Sequence, residues 1–262
     1  MNQRELTVDN LNRCWDGCAD LFGSLSEQQW QVRSHCPDWD VKGVAAHLLV
    51  AERTLSGWVP DSADAPLPFA GLGADFAAAL EMPADELAAE LASVLDDRRA
   101  QLADADDELF DAPSPTPVGK LTYGRFMAIR EFDFWMHERD CRMPLGLPAD
   151  NGGPAAEMAL DEVHRSIGYI AGKQVGLPQG ASMHFEITGA CTRDIFVAVD
   201  GRAAEVESLA DPTATLHCDS MAFMNLACGR VDPEEPIAAG LVSWSGDEEL
   251  GAHAARHLRF TM

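Results

Sequence analysis

Apolar residues recur at helical spacing through the first half of the chain. In "TVDNLNRCWDGCADLFGSL", which begins at Thr7, Leu11, Trp15, Cys18, Leu21 and Phe22 share one face behind a Thr/Asp start signal, predicting a helix. "SEQQW" reads as a short helical turn. "CPDWDVKGVAAHLLVAERTLSGW" breaks at Pro37 and restarts behind Asp40, a capping residue, with Val44, His47, Leu48 and Ala51 as its stripe. A third helix is predicted in "PADELAAELASVLDDRRAQLADA", with Pro83 at its start and acids in its first turn. The fourth covers "GKLTYGRFMAIREFDFWMHERDCR", residues 119–142. Four helices of this length imply an antiparallel bundle. The connection over 58–82 is rich in Pro, Ala and Gly and reads as a long loop.

The period changes after "MPLGLPADNGGPA", residues 143–155, whose Pro, Gly and Asn content marks a linker. "AEMALDEVHRSIGYIAGKQ" is helical, whereas "MHFEITGA" and "DIFVAVDG" alternate at period two and read as strands. A further strand is expected at about 214–218, a short helix in "SMAFMNLACGR" and a closing helix in "DEELGAHAARHLR". "LVSWSG" fits either a strand or the start of that last helix. The expected fold class is α+β and multidomain, with a four-helix bundle over 1–146 and a small α+β domain over 154–262.

Composition narrows the function. Of 262 residues, 47% are hydrophobic, enough for a sizeable core. The net charge is -24, and both halves of the chain are acidic, so nucleic acid and anionic membrane surfaces are poor partners. No apolar run reaches the ~18 to 20 residues of a spanning helix, and "MNQRELTVDNLNRCWDG" lacks the layout of a secretory signal. The expected location is the cytoplasm, as a monomer or homodimer. Seven cysteines without a CxxC pair are expected to be free thiols. Cys14 and Cys18 stand four residues apart, a spacing open to a soft metal, but buried small hydrophobes are the commoner reading.

The chemistry concentrates in "REFDFWMHERDCR", residues 130–142. Asp133 and His137 are one helical turn apart on one face, where a carboxylate and an imidazole can share a metal ion. His47 lies within the apolar run "VAAHLL" and can meet that pair in a bundle core. Two nitrogens and one oxygen leave coordination positions open, as in a catalytic site. The competing reading is a set of hydrogen-bonded core residues. Around the three stand Trp39 and Trp135 as packing or pocket residues, Arg130 and Arg142 flanking the helix, Glu138, and Asp140 as a support for the ligands. Cys36 is a pocket-lining candidate, and a Cys36/His35 nucleophile pair lacks an orienting third group. His253 and His257 repeat the spacing among acids and read as solvated; His35, His164, His184 and His217 have no evident partner.

"CPDWDVKGVAAHLL" and "REFDFWMHERDCR" together resemble the DinB-like metalloenzymes and, more narrowly, the mycothiol-dependent maleylpyruvate isomerase family of actinobacteria. The second half is similar to that family's small sterol-carrier-like α+β domain, with "MAFMNLACGR" resembling a helix that ends in Gly-Arg. The resemblance implies His47, Asp133 and His137 as ligands of a divalent metal, zinc foremost. It implies mycothiol as the small-molecule thiol and an electrophilic small molecule as its partner. Arg230, in "CGRVDP", is a weaker catalytic candidate that could hold a carboxylate or the thiol's polar groups, and Trp39 a weaker candidate for holding thiol or substrate. For Arg230 a plain helix-end cation is the alternative. One departure stands out: the isomerases proper carry a glutamate where this chain has Asp133. S-transfer is therefore favoured over maleylpyruvate-type isomerisation, and a non-enzymatic binding protein is the third reading.

Overall fold

The first long helix, α1 (Gln3–Ser24), starts in a capping box. The Asn2 side chain accepts from Glu5 N at 2.8 Å, and the Glu5 carboxylate accepts from Asn2 N at 2.9 Å. Leu11, Trp15, Cys18, Leu21 and Phe22 are buried, as their spacing predicts. α2 (Val41–Leu55) is capped by Asp40, whose carboxylate accepts from Gly43 N at 2.8 Å. α4 (Ala84–Asp104) buries Leu87, Leu91, Leu95, Arg98 and Leu102, one residue per turn. α6 (Tyr123–Arg142) is capped by Thr122 and buries fourteen of its twenty residues. α1 packs on α6 and α4, and α2 on α4 and α6. The computed structural model describes residues 2–260.

Two segments differ from the sequence expectation. The stretch 58–82 is no simple loop, because it contains α3 (Leu72–Glu81), which packs on α2. Its Ala-rich run is a good helix former, and Gly71, at φ +94°, turns the chain into it. The fourth helix begins at Tyr123 and not at Gly119. After the single turn α5 (Asp107–Asp111), β1 (Pro113–Thr116) and β2 (Gly119–Thr122) form an antiparallel hairpin. Pro113 and Pro115 sit in a two-stranded ribbon whose outer edge needs no N–H donor, where proline is tolerated.

By its contacts the chain divides into two compact units, Met1–Ala149 and Asp150–Met262. The second contains α7 (Gly153–His164), α8 (Ile167–Tyr169) running into a π turn, β3 (Ser182–Thr188), β4 (Arg193–Asp200) and β5 (Arg202–Val206). β6 (Ala214–Asp219), α9 (Ser220–Ala227), α10 (Glu234–Ala238), β7 (Val242–Gly246) and α11 (Glu248–His257) follow. The sheet order is β5-β4-β3-β6-β7, antiparallel except for the β3/β6 pair. "LVSWSG" is thus a strand. Among the described residues no helix is long and apolar enough to cross a membrane.

A chain of charges runs through the interior of the first unit. Glu52, fully buried, accepts from Arg98 Nε at 2.8 Å and from Arg130 Nε at 2.8 Å. It ties α2 to both α4 and α6. Burial works to raise the Glu52 carboxyl, but Arg130 and Arg98 outweigh it and hold the group below its ordinary value. Removing one member of a buried ion cluster strands the others. Glu52→Ala is therefore expected to cost about 3–5 kcal/mol in urea unfolding at neutral pH. A depressed carboxyl stabilises the fold above its unfolded value and loses that contribution as pH falls through the folded one. The gap between wild type and Glu52→Ala should accordingly narrow as unfolding is measured at progressively more acidic pH.

Candidate metal centre

The start of α2 shapes one wall of the site. A Cβ at Gly43 would come within 2.9 Å of Trp39 Cβ, so glycine lets Trp39 fold back along the first turn. There the indole stacks on His47, with centroids 5.0 Å apart and planes inclined by 29°. His47 projects from the middle of α2 towards α6. Asp133 and His137 face it from successive turns of α6.

The three side chains converge as their spacing predicts. His47 Nε2 lies 3.3 Å from Asp133 Oδ2, and His137 Nε2 lies 3.5 Å from Asp133 Oδ1. One ligand atom from each can be chosen so that all lie within 4.8 Å of one another. A tetrahedral ion with bonds of about 2.0–2.1 Å would set its ligand atoms about 3.3 Å apart, so this donor set fits a small divalent cation such as zinc. His47 and Asp133 are 27% and 24% exposed at their side chains, which leaves an approach for a further ligand.

Each donor is held from behind. Arg130 Nη1 donates to Asp133 Oδ2 at 2.7 Å, extending the buried charge chain from Glu52 to the site. Burial alone would raise the Asp133 carboxyl; Arg130, then His137 and His47, overcome it and hold Asp133 well below the usual carboxylate range. Burial lowers His47, so its ring is the neutral form that a metal needs. His137 is caught between two acids. Its Nδ1 is 3.0 Å from Asp140 Oδ2, and Cys36 Sγ approaches within 3.2 Å of that carboxylate and 3.5 Å of the ring nitrogen. Burial opposes a charge on His137, but Asp133, then Asp140 and Cys36, hold its proton well above the ordinary imidazole range. An ion would take the place of the Nε2 proton, while the Nδ1–H kept by Asp140 fixes the ring.

Cys36, His137 and Asp140 form a second group with metal-ligating atoms, but all three are buried, and it shares His137 with the first. The first group opens on a cavity of about 210 Å³ between α2 and α3, lined by His47, Trp39, Val50, Ala51, Leu72, Gly73 and Phe76. Trp135 is a packing residue, buried with the Arg139 guanidinium 3.8 Å over its ring. Arg142 pairs with Glu138 at 2.6 Å. Cys14 and Cys18 are buried thiols pushed well up by desolvation, and neither belongs to a candidate metal group among the described residues. Arg230 lies in the second unit, where its Nη1 donates to Cys228 O at 3.1 Å. His253 and His257 stack on each other at the exposed face of α11. His164, His184 and His217 do have partners, in Glu205, Asp194 and Glu186 of the sheet. Those pairings join separate elements and are invisible along the chain.

Glu52 and Phe76 were not anticipated. For Glu52 a signal was present: it sits four residues after Leu48 and three before Leu55, an acid on the apolar stripe.

The fold and the site together define a class: a helical bundle with a His/Asp/His cluster facing a small cavity, followed by a unit built on a five-stranded mixed sheet. The family description "Mycothiol maleylpyruvate isomerase N-terminal domain" matches residues 11–142, and "MDMPI C-terminal domain" matches 157–253. The chain belongs to the mycothiol maleylpyruvate isomerase family and is an enzyme of the transferase or isomerase kind. Among solved structures it is similar to a mycothiol-dependent maleylpyruvate isomerase, with TM-score 0.65 and 12% identity over 94% of this chain and 93% of that one. It is also similar to a histidine-to-alanine mutant of such an enzyme, with TM-score 0.63 and the same identity and coverage. At that identity the likeness is one of fold. No curated protein matches the chain.

If Asp140 orients His137 as the geometry shows, Asp140→Asn should weaken zinc binding by about 10- to 100-fold. Competition with a chromophoric chelator measures this. An affinity equal to wild type would mean that the Asp140 contact does not support a ligand.

Proposed function

We propose that this protein is a mycothiol-dependent metalloenzyme whose ion is held by His47, Asp133 and His137. The observation that carries the reading is the convergence of those donors at 3.3 and 3.5 Å beside a cavity, in a chain of this family. A divalent ion there, zinc by the donor set, would lower the pKa of a thiol that it binds, giving thiolate at neutral pH. The remaining work falls to the chain. Arg130 keeps Asp133 ionised and aimed, Asp140 keeps the His137 ring in place, and Trp39 walls His47 from solvent. The cavity offers mainly apolar walls beside the place where an electrophile would meet the thiol. We assign Arg230, a cation at the end of α9, to the polar groups of the thiol or of its partner.

Attack of the thiolate on an electrophilic carbon is common to two outcomes. Retention of sulfur gives S-transfer; rotation of the adduct followed by loss of the thiol gives cis-trans isomerisation, the reaction in the family's name. Asp133, shorter than the glutamate of the isomerases proper, favours transfer. The enzyme would act on small molecules of the cytoplasm.

Metal analysis of protein purified without chelator should find close to one divalent ion per chain, lost in His47→Ala and in His137→Ala. A chain that stays metal-free after zinc is supplied sinks the assignment. Mycothiol should raise the melting temperature of zinc-loaded protein more than that of apo protein, and Arg230→Ala should reduce the shift. Equal shifts in both forms would favour simple binding over metal-assisted chemistry.

A further inference from the structure

We infer that the electrophile is a neutral apolar or aromatic molecule, seated in the cavity between α2 and α3, and not a dicarboxylate. The inference rests on the thiolate reading above and names the substrate class for that site. His47 is one wall of the cavity, so a molecule within it reaches the candidate metal centre on the side of that ligand. Its other walls are Trp39, Val50, Ala51, Leu72, Gly73 and Phe76, and no cationic side chain is among them. Trp39 and Phe76 set two tilted rings 5.5 Å apart, a surface suited to a flat apolar guest. A volume of about 210 Å³ exceeds the ~150 Å³ in which an engineered apolar cavity holds benzene.

None of the cations near this region lines the cavity. Arg130 is 5% exposed and gives Nε to Glu52 and Nη1 to Asp133. Lys42 donates to Leu80 O at 2.6 Å, and Arg53 pairs with Glu90. A carboxylate entering the cavity would lose hydration and find no cationic side chain in its walls, and the charge of the proposed ion is already balanced by Asp133 and the thiolate. The net charge of -24 opposes its approach from a distance as well. A neutral guest meets neither obstacle.

The step is a substitution for a halide-type electrophile: the thiol sulfur bonds to carbon, the carbon–halogen bond breaks, halide leaves and the thiol proton goes to solvent. Charge can be isolated from size with methyl 4-(bromomethyl)benzoate and 4-(bromomethyl)benzoate, because the neutral ester is the larger molecule. Zinc-loaded enzyme with mycothiol should show at least tenfold greater kcat/KM for the ester, each rate divided by its uncatalysed counterpart. The unreactive pair methyl 4-methylbenzoate and 4-methylbenzoate gives a second readout as the part of the intrinsic fluorescence, from six tryptophans, that Trp39→Phe abolishes. Only the ester should produce a saturable change. A Cβ at Gly73 meets nothing within 4 Å, so Gly73→Leu adds bulk without a backbone clash. It should weaken ester binding at least tenfold while zinc content and the mycothiol melting shift stay as in wild type. Phe76→Ala, which removes one ring wall, should weaken it too.

Equal or better use of the carboxylate, or ester binding indifferent to both variants, overturns the inference in a protein that still takes up zinc and mycothiol. Failure to take up zinc or to respond to mycothiol overturns the underlying reading instead, and the inference falls with it.

Discussion

Glu52 is the residue on which the architecture of the site depends. It is an acid at a core position, and it can stay ionised only because guanidiniums reach it from two other helices. Such a cluster adds little net stability over apolar packing, yet it tolerates only one register. Sliding α2 against α6 by a turn would break the Glu52–Arg130 pair, leaving Arg130 with Asp133 alone. His47 lies five residues before Glu52, and Asp133 three after Arg130. The ion cluster that sets the helix register therefore also sets the distance between the candidate ligands.

His137 stands at the junction of two polar systems. One ring nitrogen faces Asp133, which is partly exposed; the other faces Asp140 and Cys36 in the closed interior. The division gives the ring separate inner and outer tasks, orientation on one side and ligation on the other. It also explains why α6 carries so many buried charges. Glu138, Arg139 and Arg142 compensate one another on the side away from His47, and Arg130 compensates Asp133 on the near side.

Much of this could be read along the chain. The long helices follow from period and caps, and the His47, Asp133 and His137 juxtaposition from a helical turn and a bundle topology. Pairings between elements far apart in sequence could not be read. The β1/β2 hairpin was hidden because Gly119–Thr122 merges smoothly into a helical pattern and its partner strand contains two prolines. Likewise α3 was hidden by the glycines and prolines around an Ala-rich core. Its loss from the expectation also removed Leu72 and Phe76, which close the cavity. Cys36 was noticed but not its contact with Asp140, since 104 residues separate them.

Gly43 shows how function constrains stabilisation in this fold. By helix propensity alone, alanine in place of this first-turn glycine would gain up to about 1 kcal/mol. The added methyl would press on Trp39 and tilt the indole off His47. Because the contact falls on the Trp39 Cβ, next to the backbone, the propensity gain is offset by the shift forced on Trp39. Glycine here marks a position where helix propensity and site geometry pull apart, so a redesign of α2 guided by propensity alone would damage the site first.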